Sequence, residues 1–303
     1  MVKVATVRLS GKVVDFPEGQ TLIMTVTRKG STGNEDPGRL GLVQPDGTFE
    51  VRGVRPGSHL LTSRSASDPT KTAGALVLEA ADRNIEGIQF RLGGGGEISG
   101  RVMIPPDKTA SAKDLEIALV SVDFPLSNLP TAKPDAEGKF TLKDVPSVRY
   151  QLRVRGMTPT SYVKSIKVGG QEADEGGVEL TAGTQLEIAV SLTGATVEGA
   201  VTGPDGKPVS GSSVTLIPDP VRESRYRSTI TDDKGEYSLK GVAPGKYRML
   251  AWEDVEAGAV HDPAFVKPFE SAAEAVTLAE GGTSKTALKA IPFDKVAGEA
   301  GAR

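Results

Sequence analysis

The chain has 303 residues and a formal net charge of −3, a balance with no electrostatic footprint for nucleic acid or an anionic membrane surface. It contains no Cys, which excludes disulfides, thiolate metal sites and cysteine catalysis. With 38% hydrophobic residues, 36 Gly and 20 Pro it reads as a globular, turn-rich chain long enough for two or three domains, and no apolar run approaches the ~20 residues of a membrane span.

Alternation of apolar and polar residues, the mark of a half-buried strand, begins at Val7, Leu9, Gly11 and Val13. The start of the chain shows no signal-peptide hydrophobic stretch and lies almost inside this strand, as in a mature form or an excised piece. Alternation resumes over residues 22–26, crosses a Gly-, Asn- and Pro-rich loop at 29–38, and continues at Leu40 and Leu42. The next stretch is Gly47-Thr48-Phe49-Glu50-Val51-Arg52-Gly53-Val54-Arg55-Pro56-Gly57-Ser58-His59-Leu60-Leu61. It recurs at residues 138–152 and 235–252. Strands at 74–78 and 85–92 complete a first set of about seven.

Gly93 to Gly96 mark a boundary. A phosphate-cradling loop needs a helix directly after it, and residues 97–103 read as a strand, so the run is a linker or a wide opening to that strand. The second set continues at 115–122, the second copy of the repeated stretch, 162–168 and 186–192. Only Thr193 and Gly194 precede the third set, at 195–201, 214–217, 226–230, the third copy, 275–278 and 286–291.

The turn glycine recurs at Gly47, Gly138 and Gly235, 91 and 97 residues apart, close to the ~100 residues of an immunoglobulin-like sandwich. The expected fold is therefore all-β: three tandem seven-stranded sandwiches at 1–92, 93–192 and 193–292, arranged as a rod, with a tail at 293–303. The short Thr193-Gly194 joint predicts a semi-rigid junction, and the glycine run a more mobile hinge.

Within each copy an aromatic is followed at plus two and plus five by an aliphatic: Phe49, Val51, Val54; Phe140, Leu142, Val145; Tyr237, Leu239, Val242. Gly47, Gly138 and Gly235 supply the positive φ of a tight turn. Pro56-Gly57 and Pro244-Gly245 suit the centre of a type II turn, which predicts a hairpin; the second copy has Ser147-Val148 there and needs another turn type.

Gly199, Pro208-Val209-Ser210-Gly211 and Val214, followed by the third copy, resemble the carboxypeptidase regulatory-like domain, also described as a transthyretin-like or carbohydrate-binding-like sandwich. Trp252-Glu253-Asp254-Val255 and residues 263–270 extend the resemblance through the third repeat; the first two share the core stretch and the first-strand Gly11 and Gly100. The resemblance implies a non-catalytic module, extracellular or in the cell envelope, serving as spacer, adhesion element or ligand-binding unit. A related adhesin family joins a first-strand Lys to a last-strand Asn. Lys12 stands at the first position, but residues 88–92, 186–192 and 286–291 contain no Asn, so no isopeptide is expected.

Only His59 and His261 are present, about two hundred residues apart, which argues against a His-based triad or zinc site. Ser161 and Lys164 match a Ser-x-x-Lys spacing that needs a helix, in a segment that reads as strand. Arg225-Tyr226-Arg227 reads as strand with Tyr226 inward and both Arg in water. The richest stretch is the insertion 252–274, with the only Trp and the acids Glu253, Asp254, Glu256, Asp262, Glu270 and Glu274. Asp254, Glu256 and Asp262 are the candidate ligands for Ca2+, which needs six to eight converging oxygens, although the spacing matches no known calcium loop; a solvated acidic loop is the plainer reading. No other cofactor is expected. Trp252, Glu253, Asp254 and His261 are candidate ligand-binding residues, with an exposed Trp252 stacking on a sugar ring. The odd spacing of Tyr247 and Trp252 puts them on opposite faces, Tyr247 in the core.

No nucleophile, base and orienting group share a repeat, so no enzyme is expected. Expected partners are other protein modules, copies of the chain, or glycans; membrane insertion is not. Self-assembly into a filament or surface layer is the further alternative, through edge strands or the tail.

Overall fold

In the computed structural model burial follows the two-residue period of the sequence at residues 7–13, 48–51 and 139–142, whereas residues 59–63, 214–218 and 249–252 are buried continuously. The structure describes residues 6–16, 19–31, 38–67, 72–93, 95–106, 111–126, 128–174, 176–222, 225–256 and 258–294. Most of the expected loop at 29–38 and most of the tail lie outside them. The chain divides into two compact units, Met1–Met103 with Ser111–Gly156 and Ser165–Ile188, and Ile104–Ala110 with Met157–Lys164 and Ala189–Arg303.

In the first unit, β1 (Val7–Val14), β2 (Leu22–Arg28), β3 (Arg39–Leu42), β4 (Thr48–Val54), β5 (Gly57–Ser65), β6 (Thr72–Ala80) and β7 (Ile85–Arg91) form sheets ordered β4-β1-β7 and β3-β2-β5-β6. Leu9, Met24, Val51, Leu61 and Phe90 meet in one core, and burial of each such side chain contributes about 1.5–3 kcal/mol. Next come β8 (Gly96–Met103), β9 (Glu116–Ser121), β10 (Thr131–Ala132), β11 (Lys139–Val145), β12 (Arg149–Arg155), β13 (Tyr162–Val168), β14 (Gln171–Glu172), β15 (Val178–Glu179) and β16 (Gln185–Ser191), with residues 162–164 of β13 and 189–191 of β16 assigned to the second unit. Their sheets are β11-β8-β16-β13-β14 and β10-β9-β12-β15.

In the second unit, β17 (Ala195–Thr202), β18 (Ser213–Asp219), β19 (Arg227–Ile230), β20 (Glu236–Val242), β21 (Gly245–Trp252), β22 (Glu274–Leu278), β23 (Thr283–Lys285) and β24 (Leu288–Ile291) share one sheet. β24 joins its halves, running parallel to β17 at Val201 and to β21 at Ala251.

The repeated stretch is not a hairpin. β4 lies in one sheet and β5 in the other, β11 and β12 divide likewise, and β20 pairs with β17 while β21 pairs with β18. Each copy is an arch over the end of a sandwich, because strands packed face to face lie ~10 Å apart and share no ladder. Gly57 and Gly245 accordingly have φ of 129° and 154°, away from the roughly +80° of a type II turn. The turn before each arch is as expected: Gly47, Gly138 and Gly235 have φ of 83°, 81° and 74°. Their amides donate to Gln44, Asp135 and Asp232 carbonyls at 2.9, 3.1 and 2.9 Å.

The plus-five aliphatic faces the core because each strand carries a bulge. Gly53, Asp144 and Gly241 take φ of 74°, 56° and 66°, and the pairing slips one residue there. One extra residue restores Val54, Val145 and Val242 to the buried face. The first-strand glycines have an equally local cause. Gly11, Gly100 and Gly199 pair with Phe49, Phe140 and Tyr237, and a Cβ on them would overlap Ile88 O, the Phe140 ring and Thr286 O respectively. Gly95 and Gly96 are not free linker: Gly96 begins β8, and a Cβ on either would overlap the backbone of Asp144 or Ala182.

Candidate functional site

Trp252 ends β21, with its Cα paired to Ser213 and Ile291, and Ser212 Oγ donates to its carbonyl at 2.8 Å. The chain then leaves the sheet. Gly258, with φ of 95°, opens a 3-10 turn at Ala259–His261, followed by the short helix α1 (Pro263–Val266) and a 3-10 segment at Lys267–Ala272. Asp262 caps α1 by accepting from Ala264 N at 2.8 Å, with Pro263 in the first helical turn.

This helical segment lies on the outer face of the sheet. Val260, Phe265, Val266 and Phe269 pack with Ile217, Leu250, Trp252 and Ile291 as a second core, and the Phe265 and Phe269 rings stand 5.6 Å apart. The parity of Tyr247 and Trp252 holds: Tyr247 belongs to the inner core and Trp252 to the outer one. Its expected exposure does not. Trp252 is 0% exposed, so no sugar ring can stack on the indole. The insertion is a lid of apolar side chains that buries this face of the sheet. The signal lay in Asp262-Pro263, a cap followed by a helix-starting Pro, and in Phe265 and Phe269 one helical turn apart.

The acids around this lid do separate work. Glu253 Oε2 accepts from Phe293 N at 3.2 Å, and Glu270 Oε1 pairs with Arg248 Nη1 at 2.8 Å. Asp262 serves the cap, while Asp254 and Glu256 are exposed. Among the described residues no three His, Asp or Glu side chains gather as a metal group, so Asp254, Glu256 and Asp262 are not brought together. His261 lies over Tyr226, ring centroids 4.8 Å apart. Tyr226 is buried in this outer core, and Arg225 and Arg227 are half-buried where water was expected. Ser161 is buried and precedes β13, in keeping with the strand reading.

A second polar cluster stands at Glu280. Its Oε1 accepts from Ser191 Oγ and Thr193 Oγ1. The Ser191 bond, then Thr193, with help from Lys164 and Tyr162, hold the carboxyl below its ordinary value of 4.5 against some desolvation. Burial, with the Glu280 charge beside it, pushes the Tyr162 phenol up.

Residues 196–288 match the family model of the carboxypeptidase regulatory-like domain. The match covers the third repeat, where the sequence resemblance is fullest. Among curated protein sequences none matches. Of solved structures, the Bacillus anthracis TIE protein is similar at 12% identity over 94% of this chain, with a TM-score of 0.26; the chain spans 50% of its length. A streptococcal ancillary pilin is similar at 10% identity over 93% of this chain and 99% of its own, with a TM-score of 0.25. BcpA, the major pilin subunit of Bacillus cereus, is similar at 10% identity over 95% and 99%, also at 0.25. Among the described residues no helix is long and apolar enough to cross a membrane.

Proposed function

We propose that the chain is a non-catalytic structural and interaction module of an extracellular or cell-surface protein, built as three sandwiches at 1–92, 93–192 and 193–292. One observation carries this reading: what recurs in all three copies is packing. The first-strand glycine, the aromatic opposite it, the positive-φ turn and the bulged arch return each time, whereas among the described residues no set of titratable side chains does. The match of residues 196–288 to a regulatory-like domain supports it. Its partners are other protein modules or further copies of itself.

Self-association is a second reading, favoured by the edge strands. Leu40 and Leu42 on β3 are 68% and 59% exposed, and Ile230 on β19 is 69% exposed. Apolar side chains on an open ladder edge are a template for pairing. Light scattering with small-angle X-ray scattering across a concentration series tests both. An elongated monomer supports the spacer, and growth into ordered oligomers supports assembly. A compact monomer would defeat both readings.

A further inference from the structure

We propose that the first two sandwiches are locked into one body by a polar latch at Asp123, so that the glycine run between them is a pivot held shut. The proposal rests on the reading of residues 1–92 and 93–192 as separate sandwiches, and it gives the spacer a stiff first half where the sequence suggested a mobile hinge.

The covalent joint leaves a swivel. Leu92 packs on the first core, and Gly95 lies so close to the second sandwich that a Cβ on it would overlap the Asp144 backbone. Residues 93 and 94 therefore join one packed end to the other. Gly93 has a φ of 65°, and a Cβ on it would meet nothing within 4 Å. Motion about such a joint is the default between sandwiches unless another contact opposes it. A second attachment, away from the first, removes the rotation.

That attachment is present. Gly30 N donates to Asp123 O at 2.8 Å, and Lys29 Nζ lies 3.5 Å from Asp123 Oδ1. Lys29 and Gly30 directly follow β2 of the first sandwich, and Asp123 lies just past β9 of the second. Both sides of the contact are stiff. Ser31 closes the first turn onto Arg28 O through its amide at 3.2 Å and its hydroxyl at 2.7 Å, and Lys29 N donates to Ser58 O at 2.9 Å. On the other side Val122 N donates to Arg149 O at 3.0 Å. The Arg149 guanidinium donates to Gly176 O at 2.6 Å and stands 3.8 Å from Asp123 Oδ1. The Asp123 side chain is 14% exposed and faces two cations, one from each sandwich. A carboxylate so covered is screened less than a surface one, and parting the sandwiches takes away one of its two partners.

The chain contains no Cys, so Gln20→Cys and Glu187→Cys, at exposed positions of the first and second sandwiches, provide a unique pair of spin labels. The test is the distance distribution between them in the full chain, measured by double electron–electron resonance with labelled chains diluted in unlabelled protein. A single narrow distribution is expected. It should broaden about twofold or more in Asp123→Ala and in Lys29→Glu, which sets a like charge against Asp123. It should stay narrow in Lys29→Arg and in Asp205→Ala, which removes an ion pair with Lys207 in the third repeat. Salt at about 1 M, where the screening length falls to about 3 Å, should broaden the latched chain and leave Asp123→Ala as it was. Circular dichroism of every variant should match that of the parent, because the latch touches neither core. A distribution that is broad from the start, or one as narrow in Asp123→Ala and Lys29→Glu as in the parent, overturns the latch. Oligomer growth or a compact monomer in scattering bears on the module reading and leaves these intramolecular distances measurable, so the two readings fail separately.

Discussion

Tyr247 donates its hydroxyl to the carbonyl of Ala243, four residues upstream, at 2.7 Å, and Tyr150 makes the same bond to Pro146 at 2.8 Å. Both rings are buried and tie the arch to the strand that leaves it. Tyr247→Phe keeps the ring and strips the donor from a buried carbonyl, at a cost of about 1–2 kcal/mol. The check is the denaturant midpoint of the transition reported by Trp252, which should fall without loss of native circular dichroism.

Gly199→Ala tests close approach and not backbone freedom. The new methyl would overlap Thr286 O and stand 3.0 Å from the Tyr237 hydroxyl, itself bonded to Thr286 O at 2.6 Å. Backbone cannot yield there without disturbing the β17 pairing, so a loss of about 2–3 kcal/mol is expected. Gly206→Ala meets nothing within 4 Å and carries only the strain of a φ of 79°. Equal melting temperatures for the two variants would refute the packing argument.

The strands were legible in the sequence because a two-residue period and a solvated face write themselves into composition, as Phe49, Val51 and Glu50 show. The aromatic opposite each first-strand glycine could be read as a pattern but not as a contact. The arch carries the sequence marks of a hairpin because Pro56-Gly57 and Pro244-Gly245 suit the turn of either, and only the long-range partners of β4 and β5 decide between them. Trp252 was misplaced for a related reason. Parity gave its face correctly, but what covers a face is settled by residues elsewhere, here Val260, Phe265 and Phe269.

Phe265→Ala opens the outer core beside the single Trp. Removing a buried Phe costs about 3–5 kcal/mol, so the helical lid should loosen before the sheet does. The expected signature is a red shift of native Trp252 emission and faster acrylamide quenching, with the inner core around Tyr247 and Met249 retained. An unshifted emission maximum would show that the lid does not shield Trp252.

Alkaline pH probes Tyr237. Burial pushes its phenol up to about 12 from an ordinary 10.0. A group whose folded value is raised contributes stability that is complete below the unfolded value and lost as pH rises through the folded one. The melting temperature should therefore fall between pH 10 and about 12, and less steeply in Tyr237→Phe. Tyr150 and Tyr247 are raised by burial too, so the slope should shrink and not vanish.

Acid pH probes Glu280 with the opposite sign. Ser191 Oγ and Thr193 Oγ1 both donate to its carboxylate, and together they hold it below its ordinary 4.5. A depressed folded value means stability that is present above the unfolded value and lost as pH falls through the folded one. Glu280→Gln should lower the melting temperature at neutral pH, and the two curves should close on each other as the wild type is taken below 4.5. Lys164→Met, which removes a cation favouring the charged form, should show an acid transition at higher pH than the wild type while leaving the hydroxyl bonds in place. Curves for Glu280→Gln and wild type that stay parallel from neutral to acid pH would show that this carboxylate does not link protonation to folding.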